Sequence, residues 1–275
     1  MGSHVIRAHD LRMATEEGYL LDNARTEAGI RFLALGELFD PGTFRRIEAL
    51  GTGPDLRVWE VGAGGPTVPA WLSTRFGDVL ATDLNTSWFD AAPGVRALRH
   101  DVSEPPPERG FDLVHVRLVL VHVVERERAL RHLVEALKPG GWLLVEEADP
   151  ASQPLICLDE HGPDQELANR LRRGFRELLA ERGVDLAYGR KLPRLLRDAG
   201  LTDVHAEGYF PITSPACSAL EAATVRQLRD QLAGKGLATE AEIERHLATV
   251  ESGRLDLATS PMISAWGRKS GIPDA

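Results

Sequence analysis

Two glycines and three acids at strand-like positions define the chemistry open to this chain. The run Val58-Trp-Glu-Val-Gly-Ala-Gly-Gly65 is apolar, carries an acid at Glu60, and then turns through Gly62 and Gly64. Such a strand delivers its chain to a nucleotide. Glycines let the backbone turn sharply and come close to a ligand where a Cβ would clash. Asp83 closes a second apolar run about 20 residues on, where an acid bonds a ribose hydroxyl in α/β nucleotide sites. Asp101 closes a third run, Leu98-Arg-His-Asp-Val102.

The details of the loop choose among nucleotides. A dinucleotide fingerprint needs a third glycine, and Thr67 stands there instead. Pro66 and Pro69 remove N–H groups from the start of the following helix, where a pyrophosphate would bind. A ligand without phosphate tolerates those prolines.

These features together resemble motif I of class I S-adenosylmethionine (SAM)-dependent methyltransferases, and the small-molecule, natural-product enzymes of actinobacteria in particular. Phe111-Asp-Leu-Val-His-Val-Arg117 resembles the family's fourth strand and its exit. Leu137-Lys-Pro-Gly-Gly-Trp-Leu-Leu-Val-Glu-Glu147 resembles its turn into the fifth. The resemblance implies that SAM is the cofactor and S-adenosylhomocysteine its product. It implies that Asp83, with Leu84, holds the ribose, and that Asp101, with Val102, takes the adenine. Gly62 and Gly64 line the cofactor, Glu60 meets its ammonium, and Arg117 touches it or pairs with an acid. Tyr19 is expected to close over it as a lid residue.

Methyl transfer is an in-line displacement that needs positioning, exclusion of water and, for some acceptors, a base. His122, Glu147, His161 and Tyr188 are the candidates to reach the acceptor or take its proton. Each has a plainer role open to it, such as a histidine bonding a loop carbonyl or an acid bonding backbone at a strand exit. No His/Asp/Glu spacing suggests a metal site, so a metal-independent enzyme is expected.

The elements that must position these residues follow from apolar patterning. Short runs at 56–61, 78–83, 95–99, 111–116, 142–147, 203–210 and 260–267 read as strands, with helices near 67–76, 86–91, 125–137 and 190–199. Such alternation predicts an α/β, Rossmann-like seven-stranded methyltransferase sheet with helices on both faces and helical lid insertions. The expected divisions are an N-terminal helical cap (1–50), the SAM-binding core (51–150), a helical lid insertion (151–188), and the rest of the core with an extra helical insertion (189–275).

Composition narrows the partners. The chain has 275 residues, 43% hydrophobic, with a net charge of −9 and a pI near 5.5. That balance argues against a nucleic-acid binder, which needs a basic face. No apolar run approaches the length of a membrane span, and Cys157 and Cys217 form no disulfide frame. A cytoplasmic enzyme acting on a small molecule is expected, with no nucleic-acid or membrane partner and a homodimer possible. An NAD-dependent oxidoreductase and a non-catalytic SAM-binding sensor or scaffold are the alternatives.

Overall fold

In the computed structural model, residues 20–21, 26–89 and 92–271 are described. Seven strands form one sheet: β1 (Gly53–Val61), β2 (Phe76–Asp83), β3 (Val95–Arg99), β4 (Phe111–Arg117), β5 (Leu137–Ala148), β6 (Leu201–Tyr209) and β7 (Met262–Lys269). Their order is β3-β2-β1-β4-β5-β7-β6. The first five are parallel, and β7 runs antiparallel to both β5 and β6. All seven expected strands are present. Central strands buried on both faces read as near-continuous apolar runs, and Val58, Trp59, Val114, Val116, Leu143 and Val145 have almost no exposure.

Strand order reverses between β1 and β4, so their carboxyl ends open a crevice where an α/β sheet takes its ligand. One sheet face is covered by α3 (Arg126–Ala136) and α5 (Leu192–Asp198), the other by α2 (Thr67–Ser73) and the end of α1 (Thr26–Leu50). A third core is helical. It joins α1 to α4 (Pro163–Glu181), α6 (Pro215–Gly234) and α7 (Glu240–Glu251), so the segments predicted as cap, lid and extra insertion pack against one another. Sequence signals start these helices: Pro163 lies in the first turn of α4, Ser214 caps α6, and Thr239 with Glu242 forms a capping box on α7.

Two local features bear on the site. Pro41 lies inside α1 and offers no N–H to the helix ladder. On the same turn, Asp40 and Thr43 reach back towards the sheet. The helix expected at 86–91 is instead a turn over the described residues 86–89, where the Phe89 N–H donates to the Thr86 carbonyl. Asp83 accepts from the Asn85 N–H, and the Asn85 side chain accepts from Ser87 N. Short polar side chains here satisfy the backbone locally and displace a helix.

Candidate active site

The β1–α2 loop is shaped by its glycines. Gly62 and Gly64 have φ of +63° and +60°. A Cβ on Gly62 would lie 2.2 Å from Val119 Cγ2, and one on Gly64 would lie 3.0 Å from the Phe32 ring. The glycines thus let the loop nest between α1 and the β4 exit. Asp83 ties this loop to β2: its Oδ2 accepts from Gly64 N at 2.9 Å and its Oδ1 from Asn85 N at 3.0 Å. At the β3 exit, Asp101 Oδ1 accepts from the Ser103 N–H and hydroxyl at 2.8 and 2.7 Å. Asp101 Oδ2 takes no hydrogen bond from any described residue.

Gly62, Gly64, Asp83, Leu84, Asp101, Val102 and Arg117 line one cavity of about 390 Å³. The cavity continues past Val119 and His122 into a chamber walled by Phe39, Phe175, Leu179, Leu220 and Met262. The donor set suits a nucleoside that carries no phosphate. Carboxylates stand at the β2 and β3 exits, each followed by an apolar wall residue, Leu84 or Val102, and prolines replace N–H donors where α2 begins.

Glu60 corrects the expectation drawn from its spacing. It is 2% exposed and does not line the cavity. It pairs in register with His115 of β4 on the sheet face beneath α1, and His115 Nδ1 lies 2.5 Å from Glu60 Oε2. His115 Nε2 lies 3.2 Å from Glu146 Oε2, and Glu146 also accepts from Thr43, Arg46 and Ser264. Arg117, at the end of β4, donates to Asp40 Oδ1 at 2.8 Å and to Thr43. Beneath the cavity floor, then, a charged layer fastens α1 to the sheet. The two carboxylates raise the His115 pKa to about 9 against the opposing effect of burial. Its hydrogen bond from His115 and the charges around it hold Glu146 down to about 2 despite burial.

Of the acceptor-side candidates, His122 lines the cavity, on a single 3-10 turn (Leu120–His122) after β4. Burial, with the positive charges of Arg31 and Arg126, lowers its pKa to about 4, so the ring is neutral at pH 7.

The other candidates stand elsewhere. Glu147 is fully buried and off the cavity wall. Its Oε1 accepts from Val119, Leu120 and Val121 N–H at 3.1, 2.7 and 3.4 Å, and its Oε2 has no partner. Burial pushes its pKa up to about 8. Tyr188 is buried among the helices of the sheet face, also off the cavity, with its hydroxyl unbonded. The His161 side chain is 65% exposed, away from the cavity and beside Asp159. These three placements turn Glu147 into a backbone anchor and leave Tyr188 and His161 off the cavity wall. The reason is packing: Glu147 and Tyr188 point under the site, and His161 precedes α4 on the outside. Tyr19 lies outside the described residues.

Sequence reasoning missed several wall residues, Arg31, Phe32, Arg172, Phe175 and Thr224 among them. They sit on the inner faces of α1, α4 and α6, where an arginine on an otherwise apolar stripe was the available signal. Among the described residues, no three His, Cys, Asp or Glu groups come together as a metal site, and no helix is long and apolar enough to cross a membrane.

Comparison with known proteins agrees with this architecture. The profile of a methyltransferase domain family matches residues 30–206. Methyltransferase str2 of Strobilurus tenacellus is 32% identical over 163 residues, 56% of each chain. Phosphoethanolamine N-methyltransferase 1 of Arabidopsis thaliana is 25% identical over 189 residues, 65% of this chain and 35% of the relative. The chain thus spans about half the length, or less, of these curated relatives. Among solved structures, phosphoethanolamine N-methyltransferase 2 of Haemonchus contortus, in complex with phosphomonomethylethanolamine and S-adenosylhomocysteine, superposes with a TM-score of 0.54 at 17% identity, covering 92% of this chain and 60% of that one. The YcgJ protein of Bacillus subtilis gives 0.55 at 16% identity, covering 84% and 99%. At these identities the likeness is one of fold.

Proposed function

The chain belongs to this methyltransferase family, and we propose that it moves the methyl group of SAM to an oxygen, nitrogen or activated carbon of a small acceptor, aromatic or alkaloid-like and of the natural-product kind. The observation that carries this reading is continuity: one cavity runs from the glycine loop, Asp83 and Asp101, past the β4 exit, into an apolar chamber under α1, α4 and α6.

Each part of the wall has a task in that reading. Asp83 steadies the glycine loop and places its carboxylate where ribose hydroxyls can donate to it. Asp101 Oδ2 accepts from the adenine amino group. Leu84 and Val102 hold the faces of the rings, and Gly62 and Gly64 leave room for the methionine arm. Arg117, fastened to Asp40, fixes the floor. When bound, the cofactor supplies an electrophilic methyl carbon at its sulfonium. The chain's own work is to bring the acceptor atom in line with it and to keep water out, which the helical core over the chamber does. His122 stands beside the path as a neutral imidazole able to accept a hydrogen bond from an acceptor O–H or N–H, and so to orient it and draw off its proton. The reaction as proposed calls for no metal ion.

The test is mass spectrometry of small molecules released from freshly purified protein, followed by calorimetric titration with S-adenosylhomocysteine and NAD. Bound or tightly titrating S-adenosylhomocysteine is expected. Binding of NAD alone would overturn the reading.

A further inference from the structure

The charges on the cavity wall are unevenly answered. Among the described residues, four arginines line it, Arg31, Arg117, Arg172 and Arg182, against two acids, Asp83 and Asp101. Both acids stand at the exits of β2 and β3, the nucleoside end. Arg117 is paired with Asp40, and Arg172 with Glu221 at 2.8 Å. Arg182 is exposed at the rim and donates to the Leu178 carbonyl.

Arg31 is different. It is 4% exposed, yet no carboxylate of a described residue lies within ion-pair distance of it. Among the described residues its one side-chain hydrogen bond runs from Nη1 to Gln227 Oε1 of α6 at 3.1 Å. A guanidinium stays charged at any working pH and carries five N–H donors. Burying it without a counter-ion is costly, and a neutral amide oxygen answers one donor only. The side chain is also held in place. Arg31 shares the inner stripe of α1 with Ala28 and Leu35, and Gln227 of α6, whose Leu220 and Thr224 line the chamber, bonds it from the other side. Arg31 is close enough to His122 to lower that histidine's pKa, so its charge is felt where transfer takes place.

We propose that Arg31 is a specificity-determining residue that pairs with an oxyanion group, a carboxylate or a phosphate monoester, on the methyl acceptor. A planar guanidinium can meet either group through two parallel N–H···O bonds. The acceptor is then an anionic small molecule with an apolar body. The body fills the space beside Phe39, Phe175 and Met262, and the anion sits at the seam of α1 and α6. The proposal rests on the methyl-transfer reading of the same cavity.

The experiment is calorimetry on the full chain saturated with S-adenosylhomocysteine, using matched probes: 4-hydroxybenzoate against 4-hydroxybenzamide, and phenyl phosphate against phenol. In the wild type, at least one anion is expected to bind about tenfold to a hundredfold more tightly than its neutral twin, and the discriminating pair tells carboxylate from phosphate. In Arg31→Gln that ratio falls to about one, with S-adenosylhomocysteine affinity kept within about twofold, and Arg31→Lys recovers part of it. Equal or absent binding of charged and neutral probes in the wild type would overturn the proposal, whatever the variants do. A parallel loss of S-adenosylhomocysteine affinity in a folded Arg31→Gln protein would overturn it too, by making Arg31 the partner of the cofactor's own carboxylate. Failure of the wild type to bind S-adenosylhomocysteine would instead defeat the methyl-transfer reading, and this inference with it.

Discussion

His115 of β4 stands directly across from Glu60 of β1, its Nδ1 2.5 Å from the Glu60 carboxylate, and both are sealed from water beneath α1. This pair, extended through Glu146 and Arg46, is how the helix that roofs the cavity is fastened to the strands that floor it. An imidazolium between two carboxylates is stable only while all three members are present.

Replacing His115 with leucine should therefore destabilise the fold by about 3–5 kcal/mol, the loss expected when one partner of a buried ionic group is removed. The wild type should also show a characteristic pH dependence. His115 has its pKa raised to about 9 from the ordinary 6.5, so its contribution is complete below pH 6.5 and is lost as pH rises through 9. Glu146 is held at about 2, so its contribution is complete above the ordinary carboxylate range and is lost as pH falls towards 2. Urea midpoints measured from pH 3 to 10 check both limbs. A His115→Leu protein whose stability still falls as the wild type's does above pH 8, beyond the range of Glu147, would disprove the assignment.

Glu147 adds a limb of its own. Its pKa is raised from 4.5 to about 8, so the folded state holds a proton that the unfolded state has released, and stability falls as pH rises between those values. Glu147→Gln keeps an oxygen for the Val119–Val121 N–H groups and should flatten this segment of the profile with little change in activity. Glu147→Ala leaves three buried N–H groups unanswered. It should lower kcat about tenfold or more by loosening the turn that carries His122. Equal activity in the two variants would mean that the anchor does not matter to the site.

Gly62→Val joins two penalties. A side chain would be held at φ +63°, a region costly for a β-branched residue, and its Cβ would lie 2.2 Å from Val119 Cγ2. Loss of S-adenosylhomocysteine binding is expected even where circular dichroism reports a folded protein. Asp83→Ala should weaken that binding about tenfold or more, because it removes the bond to Gly64 N along with the lone pairs offered to the ribose. Near wild-type affinity in either folded variant would show that the ligand lies elsewhere.

The sheet was legible because each central strand is a short Val- and Leu-rich run, and because Gly62, Gly64, Asp83 and Asp101 all fall at strand exits. Spacing places a residue along the chain but does not say which face of a strand it takes. Glu60 sits at a strand end as expected, yet its side chain joins His115 under α1 because the two are register partners. Glu147, at the end of β5, passed as an acceptor-side candidate for the same reason, and Tyr188 because it flanks α4 in the chain. Arg31 was hidden differently: its meaning depends on no carboxylate of a described residue standing within ion-pair distance of it, which only packing shows. Over the described residues 86–89 the expected helix gives way to a turn, where the Asn85 side chain accepts from the Ser87 backbone.

His122 is the acceptor-side candidate that the fold leaves on the cavity wall, and its electrostatics make a sharp kinetic prediction. With its pKa lowered to about 4, the ring stays neutral and able to accept a proton throughout the ordinary assay range. The rate of methyl transfer at saturating cofactor should therefore be flat with respect to this group from about pH 5 upward and fall on an acid limb near 4. His122→Gln retains a hydrogen-bonding side chain of similar reach but cannot take up the proton. It should lower kcat by about a hundredfold, the low end of what a positioned base contributes, remove the acid limb, and leave S-adenosylhomocysteine affinity unchanged. Preserved kcat in His122→Gln would reduce this residue to orientation alone. Transfer would then be driven by alignment of acceptor and methyl carbon, with the proton lost to solvent after the bond forms.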